Sequence, residues 1–341
     1  MSRRRFDRAR LLAGALLCLP LWLGACSTAE RRPDAATSEP AGAGPDVTLS
    51  LASLPPAVEL TAVPFHPQEE YHCGPAALAT VLGHVGVEVD PQALAREVYV
   101  PRRKGTLQLE LLASARAYDM VAYGLEPDFN DLLTEIAAGN PVLVFQNLSL
   151  ESMPQWHYAV AVGYDLERRE LILRSGKERR WVTSFDVFDR TWIRGSRWAM
   201  VVLPPDRLPA TARPLPYLEA AYALEATGRR QAAARAYETV VQEWPDQSIA
   251  WIGLGNMRYA LGDPAGAEQA LRGLLERDPQ YHAAWNNLAF MLGQRGCADD
   301  ARKAASCAVR LAPDQPLYRN TLNEVGKKRA SASCAPIHCP R

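Results

Sequence analysis

The chain of 341 residues is 48% hydrophobic and carries 38 basic against 38 acidic side chains. Its length corresponds to about two domains with a substantial core, and its composition excludes a collagen-like or wholly disordered protein. The balanced charge provides no overall field that would favour a nucleic acid, and we expect none as a partner.

Residues 1–25 predict an export signal. Five arginines precede an apolar stretch, Leu11 to Leu23, which at about 13 residues is too short to span a bilayer as a helix. The sequence Leu23-Gly24-Ala25-Cys26 then resembles a bacterial lipobox. The resemblance implies that Cys26 carries lipid and anchors the protein in the bacterial cell envelope, facing the periplasm. An ordinary signal peptide and a twin-arginine signal are the alternatives for this segment.

Residues 26–59 predict a flexible tether. The segment is rich in Ala, Pro, Ser, Gly and Thr and shows neither a helical nor a strand period. Such a composition cannot bury enough apolar surface to offset the entropy lost on ordering. We expect the tether to join the lipid to a first folded domain, residues 60–206.

The pattern of residues 60–206 predicts an α+β domain. Helical spacing predicts helices over 74–85, 91–98, 106–117 and 129–138. Apolar runs predict strands over 141–145, 158–164, 170–173 and 198–203. Helices followed by several strands favour helices packed on an antiparallel sheet.

One segment of this domain has the residues of a thiol active site. Cys73 begins a predicted helix, where the helix dipole and free N–H groups favour a thiolate with a lowered pKa. Gln68, five residues earlier, could join the N–H of Cys73 in stabilising an oxyanion. His157 opens a predicted strand about 80 residues later and could serve as the base. Cysteine before histidine is the papain-like order.

These motifs resemble those of the bacteriocin-processing (double-glycine leader) cysteine peptidases, a papain-like family. The resemblance covers residues 62–204 and comprises Gln-x4-Cys-Gly-Pro-Ala, then a histidine whose apolar strand ends in Gly-Tyr-Asp. It implies a papain-like fold with Cys73 as nucleophile, His157 as base and acid, and Gln68 as oxyanion donor.

The third catalytic residue departs from that family. Relatives place aspartate before proline at the end of the strand after the histidine strand, whereas this chain has Arg174-Ser175-Gly176. Asp165 lies eight residues along the histidine strand, roughly 26 Å away, and belongs in the hairpin turn. Ser175 or Glu178 could instead accept from the imidazole. A serine adds no charge to stabilise imidazolium, so we expect a weaker base or an inactive descendant.

Residues 214–320 repeat with a period of 34. The positions that share the period are Tyr217, Trp251 and Trp285; Gly228, Gly262 and Gly296; and Pro245, Pro279 and Pro313. The pattern resembles three tetratricopeptide repeats. The resemblance implies an all-α superhelix whose concave groove binds a peptide or protein partner; a purely structural spacer is the alternative.

The seven cysteines divide by position. Cys18 leaves with the signal and Cys26 takes lipid, so an odd number remains: Cys73, Cys297, Cys307, Cys334 and Cys339. At least one is unpaired in an oxidising compartment, and Cys73 is the candidate. Cys297 and Cys307 lie roughly 15 Å apart on one helix and cannot pair with each other, but either could pair with the tail, residues 321–341. We expect no metal and no cofactor.

These observations predict a lipid-anchored extracytoplasmic thiol hydrolase, a cysteine peptidase that forms an acyl-enzyme at Cys73. The repeats would recruit a protein partner or substrate. A weak or inactive peptidase-like scaffold of the envelope is the alternative, and amide hydrolysis on the cell wall ranks below both. The sequence has no Gly-x4-Gly-Lys-Ser/Thr nucleotide-binding loop, so we do not expect removal of double-glycine leaders.

Overall fold

A computed structural model describes residues 53–68, 72–100, 102, 105–327 and 334–340. The predicted signal, the lipid site at Cys26 and most of the tether lie outside these residues. Within them, every helix is too short or too polar to cross a membrane.

The first part of the described chain has nine strands and five helices. The strands are β1 (Ala57–Glu59), β2 (Tyr99–Val100), β3 (Gly105–Thr106), β4 (Val121–Gly124), β5 (Val142–Asn147), β6 (Trp156–Asp165), β7 (Glu170–Ser175), β8 (Glu178–Ser184) and β9 (Ala199–Leu203). The helices are α1 (Cys73–His84), α2 (Pro91–Val98), α3 (Gln108–Ala117), α4 (Phe129–Ala137) and α5 (Phe185–Ile193).

Seven strands form one antiparallel sheet in the order β4-β9-β5-β6-β7-β8, with β1 added against the end of β6. Both faces of β6 are buried. Tyr158, Val160 and Val162 pack with α1, and Ala159 and Ala161 pack with α4 and α5 on the other face. Because side chains alternate across a strand, this double burial explains why β6 is apolar from Tyr158 to Tyr164.

The predicted α+β class is confirmed, and each predicted helix and strand of this domain has an observed counterpart. The sequence analysis missed β1, β2, β3, β4, β8 and α5. Six of the seven residues of β8 are exposed, so β8 has no alternation of buried and exposed side chains. The strand forms because β7 supplies its hydrogen-bond partners. Helix α5 did carry a signal, since Phe185, Phe188 and Trp192 recur at helical spacing and are buried.

The second part is a series of seven helices. They are α6 (Pro214–Ala226), α7 (Arg230–Glu243), α8 (Ser248–Ala260), α9 (Pro264–Arg277), α10 (His282–Gln294), α11 (Ala298–Leu311) and α12 (Pro316–Gly326). The turns inside the three pairs contain Gly228, Gly262 and Gly296 at φ 78°, 83° and 81°, a conformation that favours glycine. Equivalent tryptophans make equivalent bonds, because the indoles of Trp251 and Trp285 each donate to a proline carbonyl at 2.8 Å.

The two parts share a continuous hydrophobic core. Tyr217 of α6 packs near Tyr123 of β4, and both belong to the cluster that contains the α4–α5 face of the sheet. The carboxylate of Glu135, fully buried in α4, accepts the backbone N–H and hydroxyl of Thr211 at 2.7 and 2.6 Å. The first repeat is therefore packed onto the sheet domain.

Candidate active site

The fold places Cys73 at the first position of α1. The next residue, Gly74, approaches β3 so closely that a Cβ there would lie 2.7 Å from the Cβ of Thr106. Glycine is therefore required at this approach, and Pro75 suits the first turn of a helix. The Gly-Pro dipeptide after the cysteine thus fixes the helix start against β3.

The thiol of Cys73 is largely buried, and nearby backbone N–H groups favour its thiolate form. These come from Tyr158, from Gly74 and from Cys73 itself. Burial raises the pKa of the thiol, and the three N–H groups offset only part of that rise. The expectation that the helix start lowers this pKa is wrong, because desolvation outweighs the helix-terminal N–H groups.

His157 is the second residue of β6, and Ser175 holds its ring. The imidazole Nε2 lies 2.9 Å from the hydroxyl oxygen of Ser175 at the end of β7. Burial lowers the pKa of His157 to about 4, so the ring is neutral at neutral pH. Since Nε2 is engaged by Ser175, Nδ1 is the nitrogen left for proton exchange with a thiol.

Gln68 is held by two bonds beside the same strand. Its backbone N–H donates to the carbonyl of Gly176 at 3.0 Å, and its side-chain Nε2 donates to the carbonyl of Tyr158 at 3.4 Å. The Nε2 group has a second hydrogen that this bond does not use. Gln68, Cys73 and His157 therefore converge on the backbone at the start of β6.

The other candidates for a third residue lie elsewhere. Asp165 is at the far end of β6, where its carboxylate accepts the N–H of Arg168 at 2.9 Å in the hairpin turn. Glu178 is exposed and pairs in register with Ser175 across the β7–β8 hairpin. Of the candidates, Ser175 is the one that meets the imidazole.

The four tail and repeat cysteines pair across the last repeat. Cys297 bonds to Cys334 and Cys307 bonds to Cys339, whereas Cys73 is the free thiol among the described cysteines. The described residues contain no group of three or more His, Cys, Asp or Glu side chains placed to hold a metal ion.

Sequence reasoning missed two contributors to this site. The backbone N–H of Tyr158 lowers the pKa of the Cys73 thiol, and its carbonyl accepts from Gln68. Arg174 is 4% exposed beside Ser175. Backbone contacts leave no signature in residue type, but a basic residue between buried Leu173 and a turn is unusual in a strand and could have been noticed.

Family comparisons divide the chain in the same way. Residues 60–199 match the model of the peptidase C39-like family. Residues 218–282 and 254–316 match the tetratricopeptide-repeat model. No curated protein is similar enough to this chain to be matched with it.

Three solved structures illustrate the similarity. A C39-like peptidase of Bacillus anthracis is 20% identical, with 43% of this chain and 97% of that one covered and a TM-score of 0.38. The peptidase domain of the Streptococcus transporter ComA is 19% identical, with coverages of 42% and 98% and a TM-score of 0.35. The second tetratricopeptide domain of human RPAP3, solved with an HSP70 peptide, is 13% identical, with coverages of 33% and 93% and a TM-score of 0.32.

Proposed function

Since this chain joins a peptidase C39-like domain to tetratricopeptide repeats, we propose that it is a cysteine peptidase anchored by lipid at Cys26 in the bacterial envelope. The observation that carries the proposal is the hydrogen bond of 2.9 Å between His157 and Ser175. It orients an imidazole at the strand end where the thiol of Cys73 and the amide of Gln68 also converge.

The resting pair is a neutral thiol and a neutral imidazole. As Sγ of Cys73 attacks the substrate carbonyl carbon, its proton passes to Nδ1 of His157. The N–H of Cys73 and the Nε2 group of Gln68 stabilise the oxyanion. The imidazolium returns the proton to the leaving amine, the C–N bond breaks, and water then hydrolyses the thioester.

The same site also favours a second candidate, a slow or inactive peptidase-like scaffold. The observation behind it is electrostatic. Burial raises the pKa of Cys73 and lowers the pKa of His157 to about 4, and the imidazole partner Ser175 carries no charge. All three features disfavour the thiolate–imidazolium pair, so the chemical step would be slow.

Labelling with iodoacetamide separates the two candidates. For the peptidase we expect the purified full chain to label at Cys73 faster than the urea-denatured chain, because His157 removes the proton as the thiol attacks. Cys73→Ala should abolish the label and the cleavage of a peptide library. Labelling no faster than in the denatured control, together with no cleavage of the library, would eliminate the peptidase.

The repeats supply a surface for a protein partner or substrate. In tetratricopeptide repeats the first helix of each pair lines the concave groove. The first helices of the three pairs expose large apolar side chains, and so does α12, which follows the last pair: Leu215 and Tyr222 of α6, Ile249 of α8, Phe290 of α10 and Leu317 of α12. Ile249→Asp should abolish partner capture by crosslinking in cells, while Glu219→Gln, an exposed change on α6, should not.

The lipid anchor is tested separately. Cells that express the chain with Cys26 should incorporate radiolabelled palmitate into it, and the protein should sediment with membranes. Cys26→Ala should lose both properties. A Cys26→Ala chain that still sediments with membranes would contradict lipid anchoring at this cysteine.

A further inference from the structure

The turn between β7 and β8 holds two members of the candidate site at once. Its first residue, Ser175, binds Nε2 of His157 at 2.9 Å. The next residue, Gly176, accepts the backbone N–H of Gln68 at 3.0 Å. The position of this one turn therefore sets both the imidazole and the oxyanion amide.

A β-bulge lies immediately before the turn. Leu173 pairs with Trp181, and Ser175 pairs with Glu178, so two steps along β7 match three steps along β8. The extra residue belongs to β8, opposite Arg174. Bulges next to active sites commonly redirect a side chain, and this one directly precedes the pair of Ser175 with Glu178.

The side chain of Arg174 contacts the bulged segment of β8. It is 4% exposed, its Nη1 donates to the carbonyl of Arg179 at 2.5 Å, and its Nη2 donates to the carbonyl of Val63 at 3.5 Å. The first contact joins β7 to the bulged strand. The second reaches the segment that leads to Gln68.

Arg174 has no carboxylate partner in the described part of the chain, and its Nε has no hydrogen-bond partner there. Glu59, the acid whose charge raises the pKa of Arg174, forms its ion pair with Arg180 instead. Burying a guanidinium without a counter-ion is unfavourable. A buried cation that binds only backbone carbonyls stabilises a particular backbone arrangement, not an opposite charge.

The hydrogen bonds of Arg174 go to backbone carbonyls and not to the side chains of Cys73, His157 or Gln68. Burial alone shifts the pKa of His157, and burial with backbone N–H groups shifts that of Cys73. Arg174 is therefore connected to the candidate site through the backbone of the turn and of the segment that leads to Gln68.

We propose that Arg174 is a positioning residue. By binding the carbonyls of Arg179 and Val63 it holds the β7–β8 turn in place, and this turn places Ser175 against His157 and Gly176 against Gln68. The inference rests on the proposed peptidase function. Loss of the guanidinium lets the bulge relax, so the imidazole loses its orienting partner and the oxyanion amide loses its anchor. Both effects act on the chemical step and leave substrate binding largely intact.

The test compares Arg174→Met and Arg174→Lys with Arg179→Ala. Arg179 accepts from Arg174 through its backbone carbonyl and not through its side chain, so Arg179→Ala is the matched control. On a library peptide that the wild type cleaves, Arg174→Met should lower kcat at least tenfold with KM within twofold. Arg174→Lys, which can still donate to one carbonyl, should recover part of kcat, and Arg179→Ala should keep all of it.

A second variant pair perturbs the same turn through its backbone. Gly176 has φ 61°, and a Cβ there would meet nothing within 4 Å. Gly176→Ala strains the turn, whereas Gly176→Asn tolerates this conformation. Gly176→Ala should therefore lower kcat by more than Gly176→Asn does. If Arg174→Met does not fold, Arg174→Lys tests the guanidinium, and this pair tests the dependence of kcat on the turn.

The titration of His157, followed by NMR of the imidazole C–H protons, tests whether Arg174 holds the β7–β8 turn. This measurement does not depend on enzymatic activity. In Arg174→Met the midpoint should rise toward the ordinary histidine value, because the ring leaves its buried position; in Arg179→Ala it should stay at the wild-type value. If the titration midpoint of His157 and kcat are unchanged in both Arg174→Met and Gly176→Ala, Arg174 does not position the turn. A wild type that neither labels nor cleaves would overturn the peptidase alone, because the titration still reports on the turn.

Discussion

At the scale of single residues, the site is unusual in being neutral. The imidazole of His157 is paired with a hydroxyl, and burial keeps its pKa at about 4. A carboxylate in the place of Ser175 would stabilise the imidazolium and favour the thiolate. The identity of residue 175 therefore decides how reactive Cys73 is in the resting protein.

Ser175→Asp should convert the neutral pair into an ion pair. We expect the pKa of His157 to rise by about 1–2 units and the labelling rate of Cys73 at pH 6 to rise about tenfold. The uncharged Ser175→Asn has nearly the same shape and serves as the control. Equal labelling rates in the two variants would show that residue 175 does not act on the imidazole through charge.

His157 also makes stability depend on pH. Its pKa is about 4 in the folded chain and about 6.5 when unfolded, so the unfolded state binds more protons between these values. Stability is then full above pH 6.5 and falls as the pH drops to 4. The unfolding free energy of wild type relative to His157→Gln should decrease by about 3 kcal/mol from pH 7 to pH 4.

Chemical denaturation at several pH values measures this difference. His66 and His84, whose pKa values burial also lowers, are present in both proteins, so their contributions cancel. A difference between wild type and His157→Gln that does not change with pH would contradict the buried neutral imidazole.

At the scale of elements, two segments are held in place by specific contacts. The loop between β5 and β6 is organised by buried Asn147, whose side-chain oxygen accepts the N–H groups of Ser149 and Gln155 at 3.0 and 2.9 Å. The tail is held by the two disulfides, and its Ile337 is buried in the core of the last repeat. The first segment borders the site and the second is remote from it.

The β5–β6 loop should contribute to substrate choice. It displays Leu150 and Met153, 66% and 72% exposed, and leads into half-exposed Trp156 beside His157. An ordered loop that exposes apolar side chains favours binding of apolar substrate residues. Met153→Glu should raise KM several-fold for peptides rich in Leu and Phe without changing kcat, and Glu151→Gln should change neither. An unchanged KM would remove the loop from the substrate site.

The disulfides should stabilise the last repeat. Cys297 and Cys334 are separated by 37 positions, and closing such a loop stabilises a fold by about 3–4 kcal/mol in the chain-entropy view. Thermal unfolding of the Cys297→Ala/Cys334→Ala double variant should therefore show a lowered Tm. His338→Ala, an exposed change in the same tail, should leave Tm within about a degree. If the double variant keeps the wild-type Tm, the disulfide between Cys297 and Cys334 does not stabilise the last repeat.

At the scale of the whole molecule, the sheet domain and the repeats are one folded unit, since a common core and Glu135 join them. Glu135 accepts from Asn140 at 2.7 Å as well as from Thr211. A structure held in this way should unfold in a single transition, even though its two parts belong to different architectures.

Glu135→Ala should destabilise the whole molecule. The substitution leaves a buried donor of Asn140 and two donors of partly buried Thr211 without an acceptor, which costs about 3 kcal/mol. Glu126→Ala removes the ion pair that Glu126 makes with Arg213, in which both side chains are 48% exposed, and should cost less than about 1 kcal/mol. Denaturation followed by circular dichroism and by tryptophan fluorescence should give coincident curves, and separate transitions would contradict the single unit.

Much of this protein follows from the sequence by itself. The cysteine at a helix start, the histidine at a strand start and the period of 34 residues all depend on local rules of helices, strands and turns, which act within a few residues. Hence α1, β6 and the repeat turns at Gly228, Gly262 and Gly296 were predictable from residue type and spacing.

Only the tertiary structure decided the rest. Whether Ser175 or Glu178 meets the imidazole depends on strand register and on a bulge opposite Arg174, and the choice of disulfide partners depends on where the tail packs. The raised pKa of Cys73 depends on burial by residues distant in sequence. Register, burial and close packing arise from contacts between remote parts of the chain, and local sequence patterns do not encode them.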